Sequence, residues 1–305
     1  MSLTNCNFWL GLLLAFLGAS AAAKTQGPGA THGVDSPLDA RVRAEVTAFH
    51  GTVSLHAKNL DSGASYSLDS NRQVRTASTI KIGIMIEAFA RVAEGKLSWS
   101  DRLLLTKATK VSGSGILTAF DDGLPLTFRD AVNLMMIVSD NTATNLVVDA
   151  VTSDAVNARL QTLGLSDTRL LRKIGGGGES AEGKLKENER FGLGRSSPRE
   201  MVALMEKLER GEVVSAAASQ EMLALMKREQ GTNGIWRAWW TIPKATKSGA
   251  LDRLRSNVGI LYHPRGRIAL AITCDDLPET VWTYDNPALL LMSRLSEIIV
   301  DGLGK

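Results

Sequence analysis

An α+β fold is predicted by two features of the chain: residues alternate with period two near both ends, and helical segments fill the stretch between. Alternation at residues 51–57 and 65–69, on either side of the turn Asp61-Ser62-Gly63-Ala64, gives an antiparallel hairpin. It returns at residues 245–249, 257–262 and 267–273, with Pro264-Arg265-Gly266 turning the chain between the last two. The expected architecture is a five-stranded antiparallel sheet contributed by both ends, packed against a mainly helical lobe. No internal repeat or long charge run divides the chain further.

The first 23 residues read as an export signal, with an apolar run over residues 8–17 and small side chains at Ala21-Ala22-Ala23. That run is too short to span a bilayer, for which about 20 residues are needed, so no stable membrane anchor is expected and the protein is placed in the periplasm or outside the cell. Residues 24–37 form a Gly-, Thr- and Ser-rich flexible leader, and residues 38–305 form the folded domain. Within it, residues 38–49 and the apolar residues 80–92 have helical periodicity. Thr127 and Asp130 form a capping-box variant ahead of the apolar residues 131–138, two more helices follow at residues 143–151 and 154–163, and Ser197-Pro198-Arg199-Glu200 starts another. Residues 219–228 and 286–300 complete the helices. Residues 164–178 read as irregular, ending in four consecutive glycines that neither helix nor strand accommodates cheaply.

Composition narrows the function. The net charge of +3 is small and dispersed, which disfavours a nucleic-acid surface. The four histidines, His32, His50, His56 and His263, lack metal-ligand spacing, so no metal or other cofactor is expected. Removal of residues 1–23 takes Cys6 with it and leaves Cys274, which excludes an intramolecular disulfide. Cys274 lies in an apolar strand and reads as a small buried side chain. One domain with an open cleft makes monomer the default.

Three polar clusters carry the chemistry. Ser78-Thr79-Ile80-Lys81 opens a buried helix and puts an amine one turn from a hydroxyl, on the same face. Serine is a poor nucleophile without a base, and a lysine whose pKa is lowered by burial can act as one. Ser139-Asp140-Asn141 interrupts an apolar pattern at a helix end; by itself it is also an ordinary cap and turn. Lys247-Ser248-Gly249-Ala250 lies in a terminal strand, where the glycine lets a ligand approach the main chain; by itself it is also an edge strand with a charged guard.

In this order, Ser-x-x-Lys, Ser-Asp-Asn and Lys-Ser-Gly resemble the active-serine penicillin-recognising family, which contains class A beta-lactamases and penicillin-binding proteins. The resemblance extends over about residues 38–303 and implies a beta-lactamase/transpeptidase-like fold. It implies Ser78 as nucleophile, Lys81 as proton acceptor, and Ser139 as proton relay to the leaving nitrogen. The main-chain N–H groups of Ser78 and Ala250 would form an oxyanion hole. Asn141, Lys247, Ser248 and Arg255 would bind substrate, the last two at its carboxylate, although Arg253 could share Arg255's face. The substrate is a small molecule, a beta-lactam or a D-alanyl peptide.

One part of the family pattern is missing. Counting without gaps from Thr168-Arg169-Leu170, Ile174 stands where the family places a water-activating glutamate, and Gly178 where it places an asparagine. Glu179, Glu182, Glu187 and Glu189 follow, and Glu179 is the nearest replacement base by sequence distance. The expected activity is hydrolysis of beta-lactam amides through acylation of Ser78, with slow or unconventional deacylation. A D-alanyl peptide carboxypeptidase, an esterase and a penicillin-binding sensor are the alternatives.

Overall fold

The computed structural model describes residues 31–32, 36–231 and 233–304. The expected export signal at residues 1–23 and most of the expected leader lie outside the described residues. The chain enters with β1 (Thr31–His32) and α1 (Pro37–Thr47), whose N-terminus is capped by the Ser36 hydroxyl. The hairpin follows as β2 (Thr52–Asn59) and β3 (Ser65–Leu68). After β4 (Val74–Arg75) a short 3₁₀ turn, Ala77–Ile80, leads into α2 (Lys81–Ala93). Two short strands, β5 (Arg102–Leu104) and β6 (Pro125–Thr127), pair ahead of α3 (Phe128–Ile137), α4 (Asn141–Val151) and α5 (Ser153–Thr162). Then come β7 (Arg169–Leu170), β8 (Gly194–Ser196), α6 (Pro198–Glu209) and α7 (Ala216–Met226). The chain closes with β9 (Lys244–Leu251), β10 (Leu254–His263), β11 (Gly266–Asp275) and α8 (Pro287–Leu303).

The main sheet has the order β1-β3-β2-β11-β10-β9. Its five long-range partners β3, β2, β11, β10 and β9 are antiparallel, as the alternating pattern requires; the two-residue β1 adds itself in parallel to the outer edge at β3. Period two divides the sheet's side chains between two cores. Leu55, Leu261, Ile268, Leu270, Ile272 and Cys274 face α1 and α8, while Ala245, Val258, Ile260, Ala269 and Ala271 face the helical lobe. Burial pushes the Cys274 thiol up, in keeping with an inert core side chain.

Helix α2 runs through the middle of that lobe, with every side chain from Lys81 to Ala90 buried. A helix apolar nearly all round belongs inside, so the one cation on this stretch, Lys81, is carried in by its neighbours' burial. Caps fix where the surrounding helices begin. Thr127 and Asp130 form a reciprocal capping box on α3, and Ser197 caps α6 with Pro198 in its first turn. The Glu200 carboxylate of α6 turns away from the cap and takes the Asp167 N–H at 2.9 Å, the Thr168 N–H at 2.8 Å and the Thr168 hydroxyl at 2.6 Å. It thereby fastens the start of the irregular stretch to the helix behind it.

Candidate active site

The approach to Ser78 is a tight corner. Ala77 is buried in the left-handed region at φ 47°, a conformation costing a non-glycine residue on the order of 1–3 kcal/mol and held only where the surroundings impose it. They do so here through β9. A Cβ on Gly249 would stand 2.8 Å from the Thr76 carbonyl oxygen and 3.0 Å from the Ser78 nitrogen, so the strand fits against the corner only with glycine at this position. Ser78 and Ala250 consequently share one cleft of about 870 Å³. Thr76 is fixed from the other side by its N–H donating to the Gly194 carbonyl at 3.0 Å.

Lys81 is the centre of the polar array. Its Nζ donates to the Ser139 carbonyl at 2.7 Å and lies 3.2 Å from both Ser139 Oγ and Asn141 Oδ1. Burial, followed by the positive charge of Lys247, lowers its pKa well below the ordinary lysine value, while Asp140 opposes the change. An amine so lowered is neutral in a larger fraction of molecules and has a lone pair to accept a proton. Ser139 makes this possible by its backbone: at φ 56° it turns its carbonyl and hydroxyl back toward Lys81 between α3 and α4.

Asp140 and Asn141 hold the opposite wall. Asp140 caps α4 through the Ala143 N–H at 2.8 Å and also accepts from the N–H groups of Ile116 at 2.6 Å and Leu117 at 2.9 Å. Asn141 donates through Nδ2 to the Ser112 carbonyl at 2.9 Å, leaving Oδ1 for Lys81. The stretch Ser112-Gly113-Ser114-Gly115 passes close enough that a Cβ on Gly113 would stand 2.7 Å from Asn141 Nδ2.

Lys247 and Ser248 are engaged by a residue the sequence reading did not single out. Glu229, just after α7, has a side chain only 2% exposed. Its Oε1 accepts from Ser248 Oγ at 2.5 Å and Ser248 N at 3.0 Å and lies 3.3 Å from Lys247 Nζ; its Oε2 accepts from Thr246 Oγ1 at 2.6 Å. Burial works against ionisation of Glu229, but Lys247 and the hydrogen bonds from Ser248 and Thr246 outweigh it and hold its carboxyl below the usual range. No short motif marks such a residue; the only sequence signal was an acidic side chain in a polar connection following a helix.

Arg255 stands away from the cleft floor. Its guanidinium donates to the carbonyls of Leu251 at 2.6 Å and Leu254 at 2.7 Å and to that of Val281, and it stacks on the Trp282 ring. Main-chain carbonyls thus take the fork that a substrate carboxylate would need. Arg253, two residues earlier, is exposed and lines the cleft together with Trp282.

The irregular stretch forms the remaining wall. Two asparagines clamp its main chain: Asn157 exchanges bonds of 2.8 and 2.7 Å with Leu170, and Asn145 exchanges bonds of 2.9 and 3.0 Å with Ile174. Ile174 and Gly175 line the cleft with Ser78 and Asn141. Glu179 is exposed and accepts from the Gly177 N–H at 3.0 Å; Glu189 is the member of the four loop glutamates found among the cleft-lining residues. Among the described residues, no group of three or more His, Cys, Asp or Glu side chains is placed to hold a metal ion, and no helix is long and apolar enough to cross a membrane.

Comparison with known proteins gives the family and the fold. Residues 37–303 match the family model described as the beta-lactamase enzyme family. Beta-lactamase AER-1 of Aeromonas hydrophila is 25% identical over 228 residues, 73% of this chain and 72% of that one. The crystal structure of a beta-lactamase from Sphaerobacter thermophilus superposes with a TM-score of 0.75 at 29% identity, covering 87% of this chain and 96% of its own. PBP-A shares the fold with a TM-score of 0.78 at 23% identity, covering 91% and 98%.

Proposed function

Since the chain belongs to the beta-lactamase enzyme family, we propose that it is a serine hydrolase that beta-lactam amides acylate at Ser78 and that releases the acyl group slowly. The observation that carries this reading is the buried Lys81 amine, one helical turn after Ser78 and bonded to Ser139 and to Asn141, the latter of which lines the Ser78 cleft. In the first step Ser78 Oγ bonds to the lactam carbonyl carbon as its proton passes to the neutral Lys81 amine. The carbonyl oxygen takes the electron pair and is met by the N–H groups of Ser78 and Ala250, each such donor being worth about 3 kcal/mol in the transition state. Collapse breaks the C–N bond, and the proton travels from Lys81 through Ser139 to the leaving nitrogen. Asn141 keeps Lys81 in line throughout.

Hydrolysis of the resulting ester needs a water deprotonated on the loop side. Ile174 faces that side with no acid-base group. In this reading Glu189, farther along the loop and lining the same cleft, is not the base, and release depends on Lys81 serving a second time, which is slow when the acyl group crowds it. The same reading has residues 1–23 act as an export signal, with the chemistry taking place in the periplasm or outside the cell.

Rapid mixing with a chromogenic cephalosporin tests the proposal. A burst of about one chromophore per protein followed by a much slower phase is expected from fast acylation and slow release. Linear turnover with no burst would discard slow release, and absence of any chromophore change would discard lactam acylation. Release of D-alanine from a stem peptide at a rate exceeding lactam turnover would favour the carboxypeptidase instead.

A further inference from the structure

We propose that Glu229 sets the charge preference of this site: its carboxylate accepts the hydrogen bond of the Ser248 hydroxyl and neutralises Lys247, so that Ser78 is acylated preferentially by amides and esters uncharged at that end. The inference rests on Ser78 as the nucleophile and deepens that reading by naming the substrate class. The argument is one of occupancy. A serine hydroxyl has one proton to donate, and that of Ser248 is committed to Glu229 Oε1 at 2.5 Å. Lys247 Nζ lies 3.3 Å from the same oxygen and donates to the Ser248 carbonyl at 2.9 Å. A substrate carboxylate arriving here would meet a resident carboxylate of like charge, a Ser248 hydroxyl already donating and a Lys247 ammonium with two of its three N–H groups engaged.

The occupant is built in. The Gln230 N–H donates to the Ile137 carbonyl at 3.0 Å, which pins the segment to the end of α3. A Cβ on Gly231 would stand 2.9 Å from Glu229 Oε1 and 3.0 Å from Ser248 Oγ, so the backbone lies directly over the pair. Among the described residues lining the Ser78 cleft, Glu229, Lys247 and Ser248 are absent. Arg255, the other group suited to a carboxylate, donates three of its N–H groups to main-chain carbonyls.

The test compares a cephalosporin bearing its free ring carboxylate with the methyl ester of the same compound, measuring the second-order rate of adduct formation on the native protein and on Glu229→Gln. Native protein is expected to react at least tenfold faster with the ester, and Glu229→Gln to raise the acid-to-ester ratio at least tenfold. Glu229→Asp, which keeps a charge beside Lys247 but draws it back from Ser248, is expected to shift the ratio the same way by a smaller factor, and it serves if the glutamine variant does not fold. A native preference for the acid, or a ratio unchanged within twofold in the folded variants, would overturn the proposal. A small neutral fluorophosphonate separates the two levels: Ser78 labelled by it with no discrimination between acid and ester overturns the inference alone, whereas no labelling by any of the three compounds removes the nucleophile and the inference with it.

Discussion

On the Lys81 side of the cleft the buried Lys81 amine is bonded to the half-buried Ser139 and Asn141, and the buried Asp140 carboxylate is taken up by main-chain N–H groups, whereas the wall built from the irregular stretch presents Ile174, Gly175 and exposed charges to the same space. The first wall has what bond-making requires: a hydroxyl, an amine with its charge disfavoured, and a relay. The second has a firmly clamped main chain and no carboxylate at its centre. Asn145 and Asn157 show that this wall is well ordered in its backbone, so its deficiency lies in one side chain. In the mechanism proposed above, acylation and release are therefore separable and are carried by different elements.

Substitutions can break each side in turn. The largest effect is expected from Ser78→Ala, which removes covalent labelling altogether; an adduct of undiminished yield in that variant would move the nucleophile elsewhere. Lys81→Met keeps the length of the side chain but offers no base, and acylation measured by stopped flow is expected to fall about 10²–10⁴-fold. The native acylation rate is expected to climb with pH through the lowered Lys81 pKa and then level off, a limb the methionine variant lacks. Stability follows the same sign. Between the lowered folded pKa and the higher unfolded one, the unfolded chain binds more protons at Lys81, so this group's contribution to stability rises with pH across that window and is lost as pH falls through the folded value.

The second wall is sharpened by addition. Ile174→Glu places a carboxylate where the cleft lacks one, and release of the acyl group, followed as recovery of unmodified protein, is expected to quicken by about tenfold or more while acylation stays within a few-fold. Glu200→Ala removes the carboxylate that fastens residues 167–168 to α6 and is expected to cost about 2 kcal/mol in denaturant unfolding, since hydrogen bonds to a charged group are lost. The smallest effect belongs to Glu179→Gln: with its carboxylate exposed and turned to the Gly177 N–H, release is expected to stay within twofold of native. A tenfold loss would make Glu179 the missing base.

Much of this was legible in the chain because the signals were local. The Thr127–Asp130 box and the Ser197-Pro198 start specify their own hydrogen bonds within four residues, and both helices begin where those residues stand. The strands were equally plain because turn residues, Asp61-Ser62-Gly63-Ala64 and Pro264-Arg265-Gly266, bound them, even though β10 is buried on both faces along most of its length. Glu229 was invisible for the opposite reason: its role comes from a buried contact with residues 17–19 positions away in another element, and an acidic side chain after a helix ordinarily faces solvent. The choice between Arg253 and Arg255 was likewise beyond the pattern, because it turned on which guanidinium could reach the carbonyls of Leu251, Leu254 and Val281. The pairing of β1 with β3 rests on two residues, too few for any periodicity to register.

The most direct measurement is the mass of the intact protein at intervals after mixing with a small excess of lactam, followed by peptide mapping. One added acyl group on the peptide containing Ser78, formed within seconds and still present after many minutes, is the result predicted. Rapid consumption of the lactam with the protein mass unchanged at every interval, or a lasting adduct on any other residue, would contradict the account.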